Sequence, residues 1–137
     1  MLVFDASALV KIVIYEEGSA TARGLWATSG PRAASALAYP EVCSALFRAR
    51  AGRRISEPAM LQARTKLEVL WGSMGIVETL GELSVAAGAV ALVTGLKGAD
   101  AVHLATALSV GAKSTVLVTW DEALSRSAQE HGLAVAP

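Results

Sequence analysis

The stretch MLVFDASALVK, residues 1–11, contains the pattern on which the fold depends. The apolar run at residues 2–4 predicts a short buried strand, and the small and apolar residues that follow predict a helix over residues 6–15. Asp5 stands between these two elements. A carboxylate at this point either caps the helix or belongs to a functional site. The positions of the other acidic residues in the chain distinguish these two interpretations.

The remaining sequence repeats this alternation of short strands and helices, with glycine, serine and proline at the breaks. Helices are predicted over residues 19–29 with Ser19 as the cap, 36–51, 56–71 with Ser56 as the cap and Pro58 in the first turn, 82–94, 99–111 and 121–131. Strands are predicted over residues 32–35, 75–79, 114–119 and 133–136. This alternation predicts a single domain over residues 1–137, with a parallel sheet and helices on both of its faces.

The overall composition narrows the function classes. Twelve basic and twelve acidic residues give a formal net charge of zero, which argues against charge-driven coating of nucleic acid but leaves room for a local basic patch. Cys43 is the single cysteine, so an intramolecular disulfide framework is excluded. The longest apolar run, residues 85–93, is too short for a bilayer span, and the N-terminus lacks the basic region of a signal peptide. We therefore expect a cytoplasmic protein with no membrane contact.

Four acidic residues fall at positions that such a sheet would bring to one edge. Asp5 and Asp121 follow predicted strands. Asp100 begins a predicted helix, and Glu41 lies near the start of another. Each of them alone is explained by capping or by the helix dipole, which contribute about 1 kcal/mol. Ligands bind beyond the carboxyl ends of parallel strands, however, so the four side chains are expected to converge.

Convergence of four carboxylates would be unfavourable without a counter-charge. Two unit charges at about 4 Å repel by about 4 kcal/mol at an effective dielectric constant of 20. Such a site therefore needs protonation or a bound cation. Because the ligands are hard oxygens with no histidine or cysteine among them, magnesium or manganese is favoured over zinc. A metal of this kind activates water for phosphodiester hydrolysis.

Four segments of the chain together resemble one known family. They are VFDASALVK at residues 3–11, PEVCSALFR at 40–48, LKGADAVHLATAL at 96–108 and VTWDEALSRSAQEHGL at 118–133. In their order and in the acids they carry, they are similar to the PIN domain family, and within it to the VapC-type ribonuclease toxins. The resemblance spans nearly the whole chain. It implies a three-layer α/β/α sandwich with a central, mostly parallel sheet, a Mg²⁺- or Mn²⁺-dependent endoribonuclease, a homodimer, and inhibition by a VapB-type antitoxin.

The resemblance also implies roles for individual residues. The four acidic positions of the family site match Asp5, Glu41, Asp100 and Asp121. Asp5 and Asp100 are expected to be the direct metal ligands, and Asp121 to bind a second metal or to orient water. Glu41 is expected to hold a metal-bound water or to help activate the nucleophile. Ser7 and Thr119 match hydroxyl positions beside the site. Ser7 is equally explained as a first-turn helix residue, and Thr119 as the β-branched end of a strand.

Contacts to RNA have two candidates in the sequence. The densest basic run, RARAGRR, is either a guide for RNA phosphates or a solvated helix end. It contains Arg48, Arg50, Arg53 and Arg54. Trp120 is either a stacking platform for an RNA base, worth about 1–3 kcal/mol, or a residue that covers the sheet edge or packs under the last helix, which is the interpretation we favour. His103 is expected to be a buried helix histidine with a hydrogen-bond partner.

Two other functions are weighed against the nuclease. A phosphoacceptor signalling domain also gathers carboxylates around magnesium, but it needs adjacent acids after the first strand, an acceptor aspartate at a middle strand end and a lysine after a late strand. Here Asp5 stands alone, GIVET contains Glu78 in place of an aspartate, and VTW has no lysine. The second alternative is a PIN fold that binds without catalysis, which the presence of all four acids does not support.

Overall fold

The computed structural model describes residues 1–137 and contains five strands and seven α-helices. The strands are β1 (Leu2–Phe4), β2 (Arg32–Ser35), β3 (Gly75–Val77), β4 (Val116–Val118) and β5 (Ala134–Ala136). The helices are α1 (Ala6–Val13), α2 (Ser19–Ala27), α3 (Ala38–Ala51), α4 (Glu57–Trp71), α5 (Glu82–Thr94), α6 (Gly98–Ser109) and α7 (Glu122–Glu130), with one 3₁₀ turn at Ala112–Ser114. Every predicted helix and strand is present, and no end differs from its prediction by more than two residues.

All five strands are parallel and lie in the order β3-β2-β1-β4-β5. The register pairs Phe4 with Ala34 on one side and with Val118 on the other. β2 and β3 lie on one side of β1 in the sheet, and β4 and β5 lie on the other side. The carboxyl ends of β1 and β4 therefore form a topological switch point. Flavodoxin-like phosphoacceptor domains have the order 2-1-3-4-5, so the observed order contradicts that alternative.

The two faces of the sheet carry separate cores, because alternate side chains of a strand point to opposite faces. Phe4, Ala34 and Val118 pack with residues of α1, α3 and α4 in one cluster. The preceding residue of each strand packs with α6 and α7 in the other; these residues are Val3, Ala33 and Leu117. The arrangement confirms the predicted three-layer α/β/α sandwich with a central parallel sheet.

Ser19 does not cap α2 as predicted. Gly18 is the N-cap, with a φ of 84°, and Ser19 is the first helical residue. The hydroxyl of Ser19 instead accepts a hydrogen bond from the Glu16 N–H and donates one to the Ile14 carbonyl, so it stabilises the preceding loop. The turn favours glycine because of its left-handed conformation and because a Cβ at Gly18 would lie 2.7 Å from Trp120 Nε1.

The helix α5 is apolar along most of its length, yet it has one buried residue, Ala87. Val85, Leu92 and Val93 are 75%, 90% and 81% exposed. No single helix of the structure is long and apolar enough to cross a membrane. The α5 and α6 helices pass that test of length and composition only as a pair, and the pair is bent by 114°.

Candidate active site

Asp5 is the most deeply placed carboxylate of the predicted site. It follows β1, is 4% exposed, and caps α1 by accepting a hydrogen bond from the Ala8 N–H at Oδ1 (2.8 Å). The Ser7 hydroxyl lies 2.8 Å from Oδ1 and 2.9 Å from Oδ2. The Thr119 hydroxyl donates to Oδ2 at 2.6 Å. The capping interpretation of Asp5 is therefore correct, and the carboxylate has further partners that a cap does not need.

Ser7 and Thr119 connect Asp5 to the segment that follows β4. The Trp120 N–H donates to Ser7 Oγ at 2.8 Å, and the Asp121 N–H donates to Thr119 Oγ1 at 3.0 Å. Each hydroxyl thus accepts from one backbone N–H and donates to the Asp5 carboxylate. Because hydrogen bonds to a charged acceptor are the strong ones, this network fixes residues 119–121 beside the end of β1.

Asp121 and Asp100 differ in how their carboxylates are held. Asp121 caps α7, with Oδ1 accepting from the Leu124 N–H at 2.8 Å, and its Oδ2 has no hydrogen-bond partner. Asp100 is the third residue of α6, whose N-cap is Lys97, so the capping interpretation is wrong for Asp100. No side chain or backbone N–H donates to its carboxylate, which lines the same cavity as Asp121.

Glu41 is joined to the site by His103. Glu41 lies in the first turn of α3, and its Oε2 is 2.6 Å from Nε2 of His103 on α6. His103 is 3% exposed, so the expectation of a buried helix histidine with a hydrogen-bond partner is confirmed. The contact links helices on opposite faces of the sheet at its carboxyl edge. The other oxygen of Glu41, Oε1, carries no hydrogen bond.

The pKa values of three of these groups are raised, through burial or through neighbouring negative charge. Burial raises the pKa of Asp5, although hydrogen bonds from Thr119 and Ala8 and the charge of His103 oppose the shift. Partial burial raises the pKa of Asp100, and the neighbouring charges of Asp121 and Glu41 add to the effect.

The pKa of His103 is also raised, because nearby carboxylates stabilise the charged form of its ring. Burial alone would lower it, but the hydrogen bond to Glu41 and the negative charges of Asp5, Glu41 and Asp100 together outweigh burial. All of these carboxylates are thus within electrostatic reach of one imidazole ring. A single histidine cannot balance them, and the surplus charge favours a bound cation.

The donor set fits a hard divalent metal ion. No group of three or more His, Cys, Asp or Glu side chains lies close enough in this structure to hold one ion directly. Mg²⁺ requires less than that, because it is usually held by one or two carboxylates and keeps several waters. Asp5, Asp100 and Asp121 supply carboxylate oxygens, and the charge on Asp100 is one that a cation would relieve.

The basic run of α3 is separated from the acids. Arg50 lies nine residues beyond Glu41, roughly 13 Å along the helix axis at 1.5 Å per residue. Its guanidinium is 3.9 Å from Glu57, and that of Arg54 is 3.8 Å from Glu16. Arg48 donates to the Ser44 hydroxyl, and Arg53 has a φ of 57° in the turn after α3. The structure therefore does not bring Arg48, Arg50, Arg53 and Arg54 to the carboxylates.

Trp120 packs against the protein. Its ring lies against Gly18, and Lys11 Nζ is 5.5 Å from its centroid. It is partly buried against the core cluster on the α1 side of the sheet. The packing interpretation accounts for this position, and stacking on an RNA base stays a prediction.

Two basic residues that sequence reasoning does not single out lie beside the acids. Lys97 and Arg126 line a cavity of 370 Å³ together with Asp100 and Asp121. Their signal in the sequence is weak, because a lone lysine before a helix and a lone arginine on an exposed helix face are common. Only the packing of α6 beside α7 brings them together.

Comparison with known proteins gives consistent results. The sequence model described as PIN domain matches residues 2–130. The chain is 39% identical to Ribonuclease VapC45 of Mycobacterium tuberculosis (strain CDC 1551 / Oshkosh), with 100% of this chain and 95% of that protein covered. The crystal structure of VapC20 from Mycobacterium tuberculosis, described as a sarcin-ricin loop cleaving toxin, matches with a TM-score of 0.72 at 20% identity, covering 93% of this chain and 95% of that one. A toxin-antitoxin complex from Klebsiella pneumoniae matches with a TM-score of 0.64 at 17% identity, covering 88% and 87%.

Proposed function

The chain belongs to the PIN domain family, and from this membership we propose that it is an endoribonuclease that acts as the toxin of a toxin–antitoxin pair. The observation that carries the proposal is the set of carboxylates around His103 at the switch point between β1 and β4. A relative named a ribonuclease aligns along the whole chain, which supports the same activity. We propose that it acts in the cytoplasm on RNA phosphodiester bonds.

We further propose that the activity depends on Mg²⁺ or Mn²⁺. When bound, such an ion would supply an activated water and offset charge on the phosphate. Asp5, Asp100 and Asp121 would hold it, one or two of them directly and the rest through its bound waters. Ser7 and Thr119 orient the Asp5 carboxylate, the Asp100 carboxylate is free, and Asp121 keeps Oδ2 available while Oδ1 caps α7.

Glu41 is suited to the role of general base. Its Oε2 is held by His103, which leaves Oε1 free to accept a proton from the attacking water. His103 acts through Glu41 as a positioning residue, because its ring is buried and has no other hydrogen-bond partner in the structure.

Cleavage of a labelled RNA by the purified chain, with Mg²⁺, Mn²⁺ or EDTA, tests this proposal. Asp100→Asn removes a charge without removing a hydrogen bond, so its effect reports on chemistry and not on folding. We expect its activity to fall by more than the roughly 10- to 100-fold that the loss of a residue supporting a metal ligand costs. Glu82→Gln, an exposed carboxylate at the start of α5, is the matched control and should cleave normally.

Three results would overturn the proposal. They are full activity of Asp100→Asn, undiminished cleavage in EDTA, and RNA binding by the wild type without any cleavage. The last result would favour the catalytically silent binding module. Expression in a bacterial host gives a second readout, in which the wild type arrests growth and Asp100→Asn does not.

We propose that a VapB-type antitoxin inhibits the chain by binding the groove between α3 and α4. This apolar groove has a volume of 290 Å³. It is lined by Tyr39, Cys43, Leu46, Met60, Leu61 and Arg64. Two of these residues flank Glu41 on α3, and an amphipathic helix in an apolar groove is a common recognition mode. Met60→Glu should retain cleavage and escape inhibition by the cognate antitoxin; equal inhibition of both forms would place the antitoxin elsewhere.

We also propose a homodimer that covers the exposed face of α5. Three exposed apolar side chains lie on this helix, Val85, Leu92 and Val93, and its one charged residue, Glu82, is in the first turn. Two copies can bury these apolar side chains in a self-complementary contact. Analytical ultracentrifugation should find a dimer for the wild type and a monomer for Leu92→Glu. A Leu92→Glu protein that remains dimeric would exclude α5 from the interface.

A further inference from the structure

We propose that Lys97 and Arg126 bind the backbone phosphates that flank the scissile bond of the RNA. This inference rests on the proposed ribonuclease function. It assigns the substrate path to a cavity on the α7 side of the acids, away from the arginine run of α3.

The first observation in support of this assignment is that the cavity begins at the acids of the proposed site. It extends from Asp100 and Asp121 along α7, with the α5–α6 corner as its other wall. Its lining is mostly polar or charged, which suits a phosphodiester chain better than an apolar protein segment. A strand whose scissile phosphate lies at the two carboxylates, and which continues along α7, would place its next phosphates in this cavity.

The second observation is the lack of ion pairs on the two basic side chains. Neither Lys97 nor Arg126 has a carboxylate within 4.0 Å or a hydrogen-bond acceptor in the protein, although Asp100, Asp121 and Glu130 line the same cavity. Four basic side chains elsewhere in the protein behave differently. Lys11, Arg50, Arg54 and Arg64 each form an ion pair.

The third observation concerns the role that two unpaired cations, Lys97 and Arg126, have beside an acidic site. If Lys97 and Arg126 served only to balance the carboxylates, ion pairs with Asp100 or Asp121 would be the expected arrangement. Lys97 acts on Asp100 at longer range, since its charge opposes the rise in the pKa of Asp100. Both cations remain available for a ligand. A guanidinium matches a phosphate with two hydrogen bonds, and an ammonium binds it as a point charge.

The salt dependence of RNA binding tests the inference. Binding of a fluorescein-labelled single-stranded RNA is measured by anisotropy between about 50 and 200 mM salt, the range in which phosphate contacts are resolved. The Glu41→Gln background preserves the substrate, and its amide can still accept the His103 hydrogen bond. The slope of log K against log salt is negative. We expect Lys97→Gln and Arg126→Gln each to make it shallower by about 0.7, the value for one lost contact to single-stranded nucleic acid.

Two matched variants serve as controls. Lys113→Gln removes an unpaired, exposed lysine outside the cavity, and Arg54→Gln removes a member of the α3 run. Both should leave the slope unchanged. A wild-type slope in the Lys97→Gln, Arg126→Gln double variant would overturn the inference, as would an equal loss of slope in Arg54→Gln.

Kinetics in the active protein separate phosphate binding from a purely electrostatic role. Loss of a phosphate contact should raise KM with little change in kcat, because ground state and transition state lose the same contact. A change confined to kcat would mean that the cations only tune the carboxylates, and it would overturn the inference. If the wild type binds RNA with the expected slopes but never cleaves it, the proposed function fails and the phosphate site stands. If both variants cleave normally with unaltered slopes and KM, the phosphate site fails and the proposed function stands.

Discussion

Asp5 and Asp100 are aspartates of the same proposed metal site, yet their surroundings have almost nothing in common. Asp5 is 4% exposed and has hydrogen-bond donors at both of its carboxylate oxygens. Asp100 is partly exposed and has none. The difference shows that Asp5 organises the polypeptide in addition to its proposed role in the site, whereas Asp100 makes no hydrogen bond that would stabilise the fold. Removal of the Asp5 carboxylate, which breaks its hydrogen bonds, and neutralisation of Asp100 should therefore change the stability of the fold in opposite directions, although both changes should stop catalysis.

The physical origin of the contrast is the position of each residue in the chain. Asp5 follows the central strand, where the segments after β1 and β4 meet, so two hydroxyls and one helix N–H converge on it. Asp100 lies on α6, beyond the sheet, and points into a cavity instead of a junction. The same residue type is thus structural at one point of the site and dispensable for folding at another.

Removal of the Asp5 carboxylate should produce the largest loss of stability. Asp5→Ala leaves the Ala8 N–H and the Ser7 and Thr119 hydroxyls without their acceptor, and a buried unsatisfied group costs about 1–3 kcal/mol, so we expect a loss of about 3 kcal/mol. Urea denaturation of the metal-free protein measures it. Asp5→Asn is the matched control, because its amide oxygen can still cap α1, and its stability should fall between those of the wild type and Asp5→Ala. An unchanged free energy of unfolding for Asp5→Ala would show that the network does not stabilise the fold.

Removal of the Thr119 hydroxyl should have a smaller effect of the same kind. Thr119→Val keeps the shape of the side chain but breaks the hydrogen bond to Asp5 and leaves the Asp121 N–H unpaired, for an expected loss of about 1–2 kcal/mol. Cleavage should fall roughly 10- to 100-fold, because the Asp5 carboxylate is no longer oriented. Thr119→Ser preserves the hydroxyl and should retain both properties. If Thr119→Ser is as impaired as Thr119→Val, the methyl group and not the hydroxyl is what matters.

In the metal-free protein, the stability contributed by Asp5, Asp100 and His103 should decrease as the pH rises. The raised pKa values of Asp5 and Asp100 provide stability that is fully present below pH 3.8 and is lost as the pH rises through the folded-state values. The raised pKa of His103 provides stability that is present below pH 6.5 and is lost above its own folded-state value. The contributions of these three groups to the free energy of unfolding should therefore decline from acidic to alkaline pH. Denaturation at several pH values measures the decline, and His103→Gln should remove its upper part. A wild type and a His103→Gln variant with the same slope above pH 6.5 would contradict the assignment to His103.

Much of the candidate site can be predicted from the sequence because it depends on local patterns. Asp5 and Asp121 directly follow apolar runs, and parallel strands bring such positions to one edge of the sheet. Glu41 and Asp100 lie in first turns of helices, which begin at that same edge. The alternation of elements is therefore sufficient to bring four acids together, and the family resemblance assigns their roles.

The rest depends on packing that no local pattern contains. The pairing of Arg54 with Glu16 and of Arg50 with Glu57 joins different elements of the fold, so the sequence alone overstates the free charge of the α3 run. Lys97 and Arg126 become neighbours of the acids only through the contact of α6 with α7.

The cap of α2 shows the same limit at the scale of one turn. Serine favours the N-cap position, which is why the sequence predicts Ser19 there. The left-handed turn at Gly18 precedes it and takes the role. That turn lies against the Trp120 ring, so its position depends on a residue about a hundred positions later in the chain, which no local propensity contains.

Neutralisation of Asp100 should give the smallest change in stability and the opposite sign. Asp100→Asn removes repulsion from Asp121 and Glu41 and breaks no hydrogen bond, so the metal-free protein should gain up to about 1 kcal/mol, the scale of interactions between partly exposed charges. Mg²⁺ should raise the melting temperature of the wild type, because it binds only the folded site, and should raise that of Asp100→Asn much less. Differential scanning fluorimetry with and without Mg²⁺ measures both effects, with Glu82→Gln as the control for removal of a carboxylate elsewhere. A metal-free Asp100→Asn protein that melts below the wild type would mean that Asp100 stabilises the fold through a contact absent from this structure, and the contrast with Asp5 would no longer hold.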